Sequence, residues 1–309
     1  MKLSKKATSL CALVVGAAIL STSAYADVLI GSGYNSLKNA VKTTASKLTN
    51  DVDNFTADLT VTAKIDGNIF AESKSNIKCD IAKQAKEVTE TNFEHGRTSE
   101  SYWYEDKKQT IHKNTENNSY SVYEKRSIGK ERKLIENPFE REEAADAEKI
   151  LDALVGNLQD IIQVEEAGEK RMYIGNLSST QVPPLINAVS SVILKYSIFD
   201  EYNAKRLNVP YPKSNIYVKE AAGKAVVNEE GIIESAIASA SMSAQDNNGI
   251  EHFYTLEISL EVRDINETVV TAPDLTGKEV TYAKEGSVID EKYVGKYKND
   301  IVESKGNTF

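Results

Sequence analysis

The sequence predicts an α+β protein with one main domain, in which a long antiparallel sheet holds helices against its apolar side. Two observations support this prediction. Several long segments alternate apolar and polar side chains with a period of two, as strands with one buried face do. Between two runs of such segments lie stretches whose apolar residues recur every three to four positions, which is the spacing of amphipathic helices.

The clearest predicted strand pair runs from Ile232 to Arg263, and its even-numbered positions carry the apolar side chains. These are Ala236, Ala238, Ala240, Met242, Ala244, Tyr254, Leu256, Ile258, Leu260 and Val262. A two-residue turn would set even positions opposite odd ones and split this apolar face, so parity favours a three-residue loop. Such a loop pairs Met242 with Tyr254 and Ala238 with Ile258, and it places Gly249 at a left-handed position.

A second strand pair is predicted near the start of the chain. Residues 36–48 have helical spacing and predict a short amphipathic helix, and residues 55–65 alternate as a long strand. A three-residue loop at Asp66-Gly67-Asn68 would keep parity here too. It would pair Ile65 with Ile69, Ala63 with Ala71, and Phe55 with Cys79. Cys79 is therefore interpreted as a core residue rather than a nucleophile.

The remaining segments predict further strands and two more helices. The strands are 85–94, 98–105, 109–113, 119–124, 161–165, 171–174, 215–228 and 278–282. One helix begins at the cap Asn137, with Pro138 in its first position, and continues past Leu154. The other covers 185–199 and is apolar over so wide an arc that we expect protein or ligand to surround it.

The first residues have the layout of a secretory signal peptide. Lysines precede an apolar core from Leu10 to Leu20, and Ala24-Tyr25-Ala26 has the small-x-small form of a cleavage site. We therefore expect a signal peptide over 1–26 and an exported chain in the extracytoplasmic space or cell envelope. The main domain then covers 27–282, and 283–309 form a C-terminal tail with a weak hairpin pattern.

Composition and motifs argue against several functions. A formal net charge of −9 disfavours nucleic acid as a partner. His95, His112 and His252 are isolated, without metal-ligand spacing, and there is no nucleophile elbow or phosphate-binding glycine loop. Residues 246–249 resemble part of a calcium loop, but Ala244 would stand at its first ligand position. We expect no metal, no cofactor and no enzymatic activity.

The alanines on the buried face of the long hairpin are the most informative feature. Small side chains leave room, which either a close-packed helix or a molecule from outside must fill. The segment 185–199 is apolar enough to be that helix, so both alternatives stay open. If a ligand fills the space, the predicted lining residues are Leu59, Val61, Ala236, Ala238, Ala240, Met242, Tyr254, Leu256 and Ile258.

Three strand segments carry a resemblance to a known family. They are Phe55-Thr56-Ala57-Asp58-Leu59-Thr60-Val61, Tyr102-Trp103-Tyr104-Glu105-Asp106-Lys107 and Asn117-Asn118-Ser119-Tyr120-Ser121-Val122-Tyr123. With the helix before them, they resemble the lipoprotein-carrier (LolA-like) superfamily, in particular its exported uncharacterised members from Gram-positive bacteria. The resemblance implies a strongly curved, incomplete antiparallel barrel whose concave face holds helices and, in members of the family, acyl chains.

The function implied by this resemblance is that of an exported, non-enzymatic binding protein for an amphiphile or for lipoprotein acyl chains. Its expected partners are a lipid or lipoprotein ligand and, as a peripheral contact, the membrane surface. The alternative is a structural or regulatory interaction protein of the cell envelope whose own helices fill the cavity. The oligomeric state is left open by the sequence.

We predict that the chain is cut between Ala26 and Asp27 and carries no lipid. Cys11 lies inside the apolar core of the signal peptide without a small residue before it, so it does not fit a lipid-attachment site. Mass spectrometry of the exported protein should give an N-terminus at Asp27. A diacylglyceryl adduct, or an N-terminus elsewhere, would contradict the prediction.

Overall fold

The computed structural model describes residues 32–94, 96–115, 117–125, 134–155, 162–195, 199 and 201–284. The helices are α1 (Ser32–Asn50), α2 (Glu142–Val155), α3 (Pro184–Ile193) and α4 (Glu201–Leu207). The strands are β1 (Asn54–Ile65), β2 (Asn68–Asp80), β3 (Ala85–Glu94), β4 (Arg97–Glu105), β5 (Gln109–Asn114), β6 (Ser119–Glu124), β7 (Gln163–Ala167), β8 (Lys170–Ser178), β9 (Ser214–Val227), β10 (Ile233–Gln245), β11 (Glu251–Arg263) and β12 (Val280–Lys284). The predicted signal peptide and residues 285–309 of the predicted tail lie outside the described residues.

The described strands form one open, twelve-stranded sheet. Its order is β12-β6-β5-β4-β3-β2-β1-β11-β10-β9-β8-β7. All neighbours are antiparallel except β12, which pairs with β6 in parallel. The pairing of β1 with β11 joins the two predicted runs of strands into this single sheet. A long, mostly antiparallel sheet is therefore confirmed, whereas its strong curvature stays a prediction.

The hairpin of β10 and β11 has the predicted register. Met242 lies opposite Tyr254 and Ala238 opposite Ile258. Asp246 donates its backbone N–H to the carbonyl of Ile250 at 2.9 Å, which closes the loop. Gly249 has a φ of +80°, the left-handed conformation that the parity argument requires. This element follows from the sequence alone because parity and turn chemistry select the same loop.

The turn between β1 and β2 differs from the prediction. Asp66 and Gly67 have φ values of +50° and +81°, and Ile65 pairs with Asn68 rather than with Ile69. The connection is thus a two-residue turn of the type that Asp-Gly favours. An irregularity after Ala63 inserts one extra residue and restores the predicted register in the rest of the pair. The predicted three-residue loop was wrong because a two-residue turn followed by a bulge also keeps the apolar side chains of both strands on one face.

Two predicted helices differ from the prediction at one end. Asn137 caps a single 3-10 turn, Pro138–Glu140, but Arg141 has an extended backbone, so α2 begins as a separate helix. The predicted helix over 185–199 corresponds to α3, after which the chain continues in a π turn at Leu194 and Lys195, and Phe199 donates its backbone N–H to the carbonyl of Leu194 at 2.9 Å. Residues 196–198 lie outside the described part of the chain. α4 has no counterpart among the predicted elements.

The sheet carries buried clusters on opposite faces of its two halves. We call the face with Ala236, Ala238 and Ala240 the alanine face; there, Tyr34, Leu37 and Ala40 of α1 join the largest cluster. Register across β11, β1, β2, β3 and β4 places Ser101 on the alanine face, so Tyr104 points to the opposite face. Tyr104 belongs to a cluster that contains Val270. The connection from β11 to β12 therefore crosses the opposite face.

Within the described residues, no helix has the length and apolar character needed to cross a membrane.

Replacing Gly249 with Val should lower the free energy of unfolding by about 1 kcal/mol or more, because a β-branched residue is poorly accommodated at positive φ. A Cβ at this position would meet no atom within 4 Å, so the cost comes from the backbone conformation and not from a clash. Urea unfolding measures the change. Gly249→Asn is the matched control and should lose less, since Asn tolerates this conformation; equal losses would contradict the explanation.

Candidate functional site

Three rows of directly opposed residues cross the centre of the alanine face, each running from β8 through β9, β10 and β11 to β1. The rows are Tyr173–Ala225–Ala236–Leu260–Leu59, Gly175–Gly223–Ala238–Ile258–Val61 and Leu177–Ala221–Ala240–Leu256–Ala63. On β9 and β10 no side chain in these rows is larger than a methyl group. The face therefore has a strip of small residues two strands wide, which we call the alanine strip.

Larger side chains border the alanine strip on both sides. Tyr173 and Leu177 lie on β8, and Leu256, Ile258 and Leu260 lie on β11. β8 and β11 are three strand spacings apart, which corresponds to about 14 Å. The small residues thus form the floor of a shallow apolar trough between two walls, and the protein itself covers most of this floor, since Ala221, Ala225, Ala236 and Ala238 are at most 8% exposed. Such a trough accepts a helix or a molecule with a long apolar part.

All nine predicted lining residues lie on the alanine face, and the β1–β11 pairing adds Leu59 and Val61 to the hairpin residues. Met242 and Tyr254 form the next row toward the hairpin tip. Tyr254 is 1% exposed and donates its hydroxyl to the carbonyl of Pro210 at 3.1 Å. Its burial raises the pKa of the phenol. The structure brings the nine residues together, and their contact with a ligand stays a prediction.

The predicted lining residues divide between two buried clusters. Ala236, Ala238, Met242 and Tyr254 belong to the largest cluster, together with side chains of α1. Val61, Leu256 and Ile258 belong to a second cluster whose described members all come from β1, β2 and β11. Among the described residues, the second cluster is thus composed of the sheet's own side chains.

Aromatic stacking covers the end of the trough near the hairpin tips. The ring of Phe199 lies 5.1 Å from that of Tyr254 and 5.2 Å from that of Phe70, measured between centroids. Phe199 itself is 4% exposed. Edge-to-face and tilted pairs of this kind add stability beyond the area they bury. The residue that ends the predicted 185–199 helix therefore occupies this end of the alanine face.

Hydrogen bonds attach α1 and α3 to the same half of the sheet. Thr44 of α1 accepts a hydrogen bond from the backbone N–H of Ile233 at 2.8 Å. Asn187 of α3 accepts one from the N–H of Val218, also at 2.8 Å. At the start of α1, a Cβ added to Gly33 would lie 2.2 Å from the carbonyl oxygen of Ile162, so only glycine fits this close approach. Both helices are thus held by specific polar contacts.

Charged contacts hold α2 against α1. Lys42 donates to both carboxylate oxygens of Glu148 at 2.7 Å, and Lys38 donates to Asp152 at 3.0 and 3.1 Å. Tyr34 also donates its hydroxyl to Asp152. Hydrogen bonds from Lys42 and Lys38 hold the pKa of Glu148 below its usual value. These ion pairs are partly exposed, so salt weakens them more than it weakens the apolar contacts of α1.

The rows of the alanine face continue as polar rows on β2, β3 and β4. The row of Leu59 continues through Ser75, Glu90 and Ser101, and that of Val61 through Ser73, Asn92 and Ser99. Ser101 donates its hydroxyl to Glu90 at 3.2 Å. In these two rows the face changes from apolar to polar between β1 and β2, whereas Ala63 still lies opposite Ala71. The sequence signal for this change is β2, where serines replace the apolar residues expected at odd positions.

Cys79 and His252 have contacts that give them structural roles, whereas His95 lies outside the described residues. Cys79 is fully buried, which raises the pKa of its thiol to about 11, in keeping with its interpretation as a core residue. His252 approaches Asp66 at 2.7 Å, and Asp66 also accepts the N–H of Phe253, so this contact ties the two hairpin tips together. Within the described residues no group of three or more potential ligands could hold a metal ion. The absence of a metal or a catalytic role stays a prediction.

No protein-family model and no curated protein sequence matches the chain. Solved structures with a similar arrangement include an uncharacterised conserved protein of Thermus thermophilus, at 9% identity and a TM-score of 0.25, covering 80% of this chain and 99% of that one. A LolA superfamily protein of Nitrosomonas europaea has 7% identity, a TM-score of 0.21 and coverages of 76% and 94%. A DUF1329 family protein of Desulfovibrio piger has 8% identity, a TM-score of 0.15 and the same coverages. TM-scores this low establish no shared function.

Replacing Phe199 with Ala should lower the free energy of unfolding by about 3 kcal/mol, because the change leaves a cavity between Tyr254 and Phe70. Urea unfolding followed by circular dichroism measures the loss. Tyr202→Ala on α4 is the matched control, since Tyr202 is 76% exposed and its removal should change stability by no more than about 0.5 kcal/mol. Equal effects of the two changes would show that Phe199 does not pack as described.

Proposed function

We propose that this protein binds an amphiphile, such as a free fatty acid or the acyl chains of a lipoprotein, in the trough of the alanine face. The observation that supports the proposal is the alanine strip, in which six adjoining positions on β9 and β10 carry only hydrogen or methyl side chains. Cores normally fill such space with interdigitating side chains. A floor of small residues between apolar walls suits a flexible acyl chain, which needs width rather than specific contacts.

The polar continuation of the same rows supports an amphiphile over a purely apolar ligand. Ser73, Ser75, Glu90 and Asn92 lie next to the apolar wall and offer both hydrogen-bond donors and acceptors. An acyl chain that leaves the trough along a row, across β11 and β1, would place its head group over these residues. The transition from apolar to polar surface would then set the orientation of the ligand.

We further infer that the sheet is strongly curved into an incomplete barrel, with helices on its concave face. The buried cluster shared by α1 and the alanine face supports this arrangement. We also propose that the protein acts outside the cytoplasm and touches the membrane surface only peripherally. The predicted signal peptide supports this location.

A second candidate function is a structural or regulatory role in the cell envelope, with the trough filled by the protein itself. Phe199 favours it, since this ring already stacks on Tyr254 and Phe70. The low exposure of Ala236 and Ala238 points in the same direction. The two candidate functions differ in whether Phe199 and the helices leave space for a ligand over the rest of the alanine strip.

Enlarging Ala238 or Ala240 to Leu distinguishes these candidates. If the trough receives a ligand, the added methylenes should occupy its place, so uptake of a fluorescent fatty acid should fall while thermal stability stays nearly unchanged. If the protein fills the trough, the same changes overpack a core and should cost about 1–3 kcal/mol. Ser239→Leu is the matched control, because Ser239 lies between these alanines in sequence but on the opposite face.

Dye titration and thermal melts of the parent and the three variants provide the readout. The binding proposal expects saturable uptake by the parent and by Ser239→Leu, with strongly reduced uptake by the two alanine variants. A parent that takes up no fatty acid, together with destabilised alanine variants, would contradict the binding proposal and favour the filled scaffold.

A further inference from the structure

A second concave site lies on the opposite face of the sheet, away from the alanine strip. It is a cavity of about 260 Å³. Its centre is a row of directly opposed residues across β3 to β6: Thr89, Tyr102, Lys113 and Tyr120. Glu100 and Thr115 line it toward the strand ends, and Pro273 from the connection between β11 and β12 borders it. Strands and a crossing segment together therefore enclose this cavity.

The two tyrosines form the apolar walls of this cavity. Tyr102 and Tyr120 lie on β4 and β6 with Lys113 of β5 between them, so their backbones are about 10 Å apart. Tyr120 is buried against Val270 and Tyr102 packs on the same cluster, which fixes the position of both rings. Burial also raises the pKa of Tyr102 to about 12, so its hydroxyl keeps its proton at neutral pH.

Several polar groups of this cavity lack partners within the described chain. The hydroxyls of Tyr102 and Tyr120, the ammonium of Lys113 and the carboxylate of Glu100 make no hydrogen bond or ion pair with another described residue. Thr115, by contrast, donates its hydroxyl to the carbonyl of Glu100 at 2.8 Å. The four free groups include both donors and an acceptor, and their two charges are opposite.

We propose that this cavity binds one ring of a neutral saccharide. The faces of a pyranose ring carry C–H groups that stack on aromatic side chains, and its edge carries hydroxyls that both donate and accept hydrogen bonds. Tyr102 and Tyr120 would contact the ring faces, while Lys113 and Glu100 would bind hydroxyls at the edge. The volume lies below the range typical of drug-sized ligands, which suits a single ring.

The charge balance argues against an ionic ligand. Lys113 and Glu100 line the same cavity. An anion attracted by the ammonium of Lys113 would be repelled by the carboxylate of Glu100, and a cation attracted by the carboxylate would be repelled by the ammonium. A neutral polyhydroxyl ring gains a charge-assisted hydrogen bond from each group without net repulsion. The cavity is on the face opposite the proposed amphiphile trough, so the two proposals can succeed or fail independently.

The test is a titration of the full exported chain with cellobiose, maltose and diacetylchitobiose, followed by saturation-transfer NMR. Glucuronate and glucosamine serve as anionic and cationic probes. We expect at least one neutral disaccharide to bind saturably, and Glu100→Gln and Lys113→Gln each to weaken that binding about tenfold, through loss of a charged hydrogen bond. Glu124→Gln is the matched control, since exposed Glu124 lies on the same face of β6 outside the cavity.

Tyr102→Ala should abolish binding, and Tyr102→Phe should retain most of it, because the phenylalanine ring preserves the stacking surface. If Tyr102→Ala does not fold by circular dichroism, the Gln variants at exposed Glu100 and half-buried Lys113 decide the outcome. The proposal is overturned if no neutral disaccharide binds, if a charged probe binds more tightly than all neutral ones, or if the Gln variants bind as well as the parent.

Discussion

The antiparallel register between β1 and β11 is the constraint on which the candidate site depends. It joins a hairpin near the start of the chain to a hairpin some two hundred residues later, so that Leu59 and Val61 face the same side as Ala236 and Ala238. A shift of one residue would turn the apolar side chains of β1 to the other face. The continuous rows from β8 to β4 exist only because each pairing along them keeps parity.

The sheet contributes side chains to two separate hydrophobic cores, because its two halves are covered on opposite faces. The alanine face carries α1 and Phe199 over β8 to β11, whereas the connection from β11 to β12 covers β3 to β6 on the other side. An antiparallel sheet tolerates this arrangement, since each strand needs only one buried face. Two candidate sites result, one with a floor of alanines and one lined by tyrosines. Their different chemistry leads to two separate binding proposals.

The balance between a ligand site and a filled core depends on side-chain size in the trough. Methyl groups on β9 and β10 fill less space than larger core side chains would. α1, α3 and Phe199 fill the remaining space only where they contact the sheet. Empty apolar space costs stability, so any part of the strip that the protein leaves open favours a molecule that fills it. The ion pairs between α2 and α1 show that the helices over the alanine face are held partly by contacts weaker than apolar packing.

The strands and the long hairpin are predictable from the sequence, because alternation and turn chemistry act over neighbouring residues. Met242 opposite Tyr254, Gly249 at positive φ and the burial of Cys79 all follow from such local rules. The sequence placed all nine candidate lining residues on apolar strand faces, yet it missed Ala221, Gly223 and Ala225, which complete the strip. Those positions matter only once β8, β9 and β10 lie side by side, and pairing between distant strands depends on contacts that no local pattern records. For the same reason, the bulge after Ala63 and the cavity between Tyr102 and Tyr120 could be seen only in the folded chain.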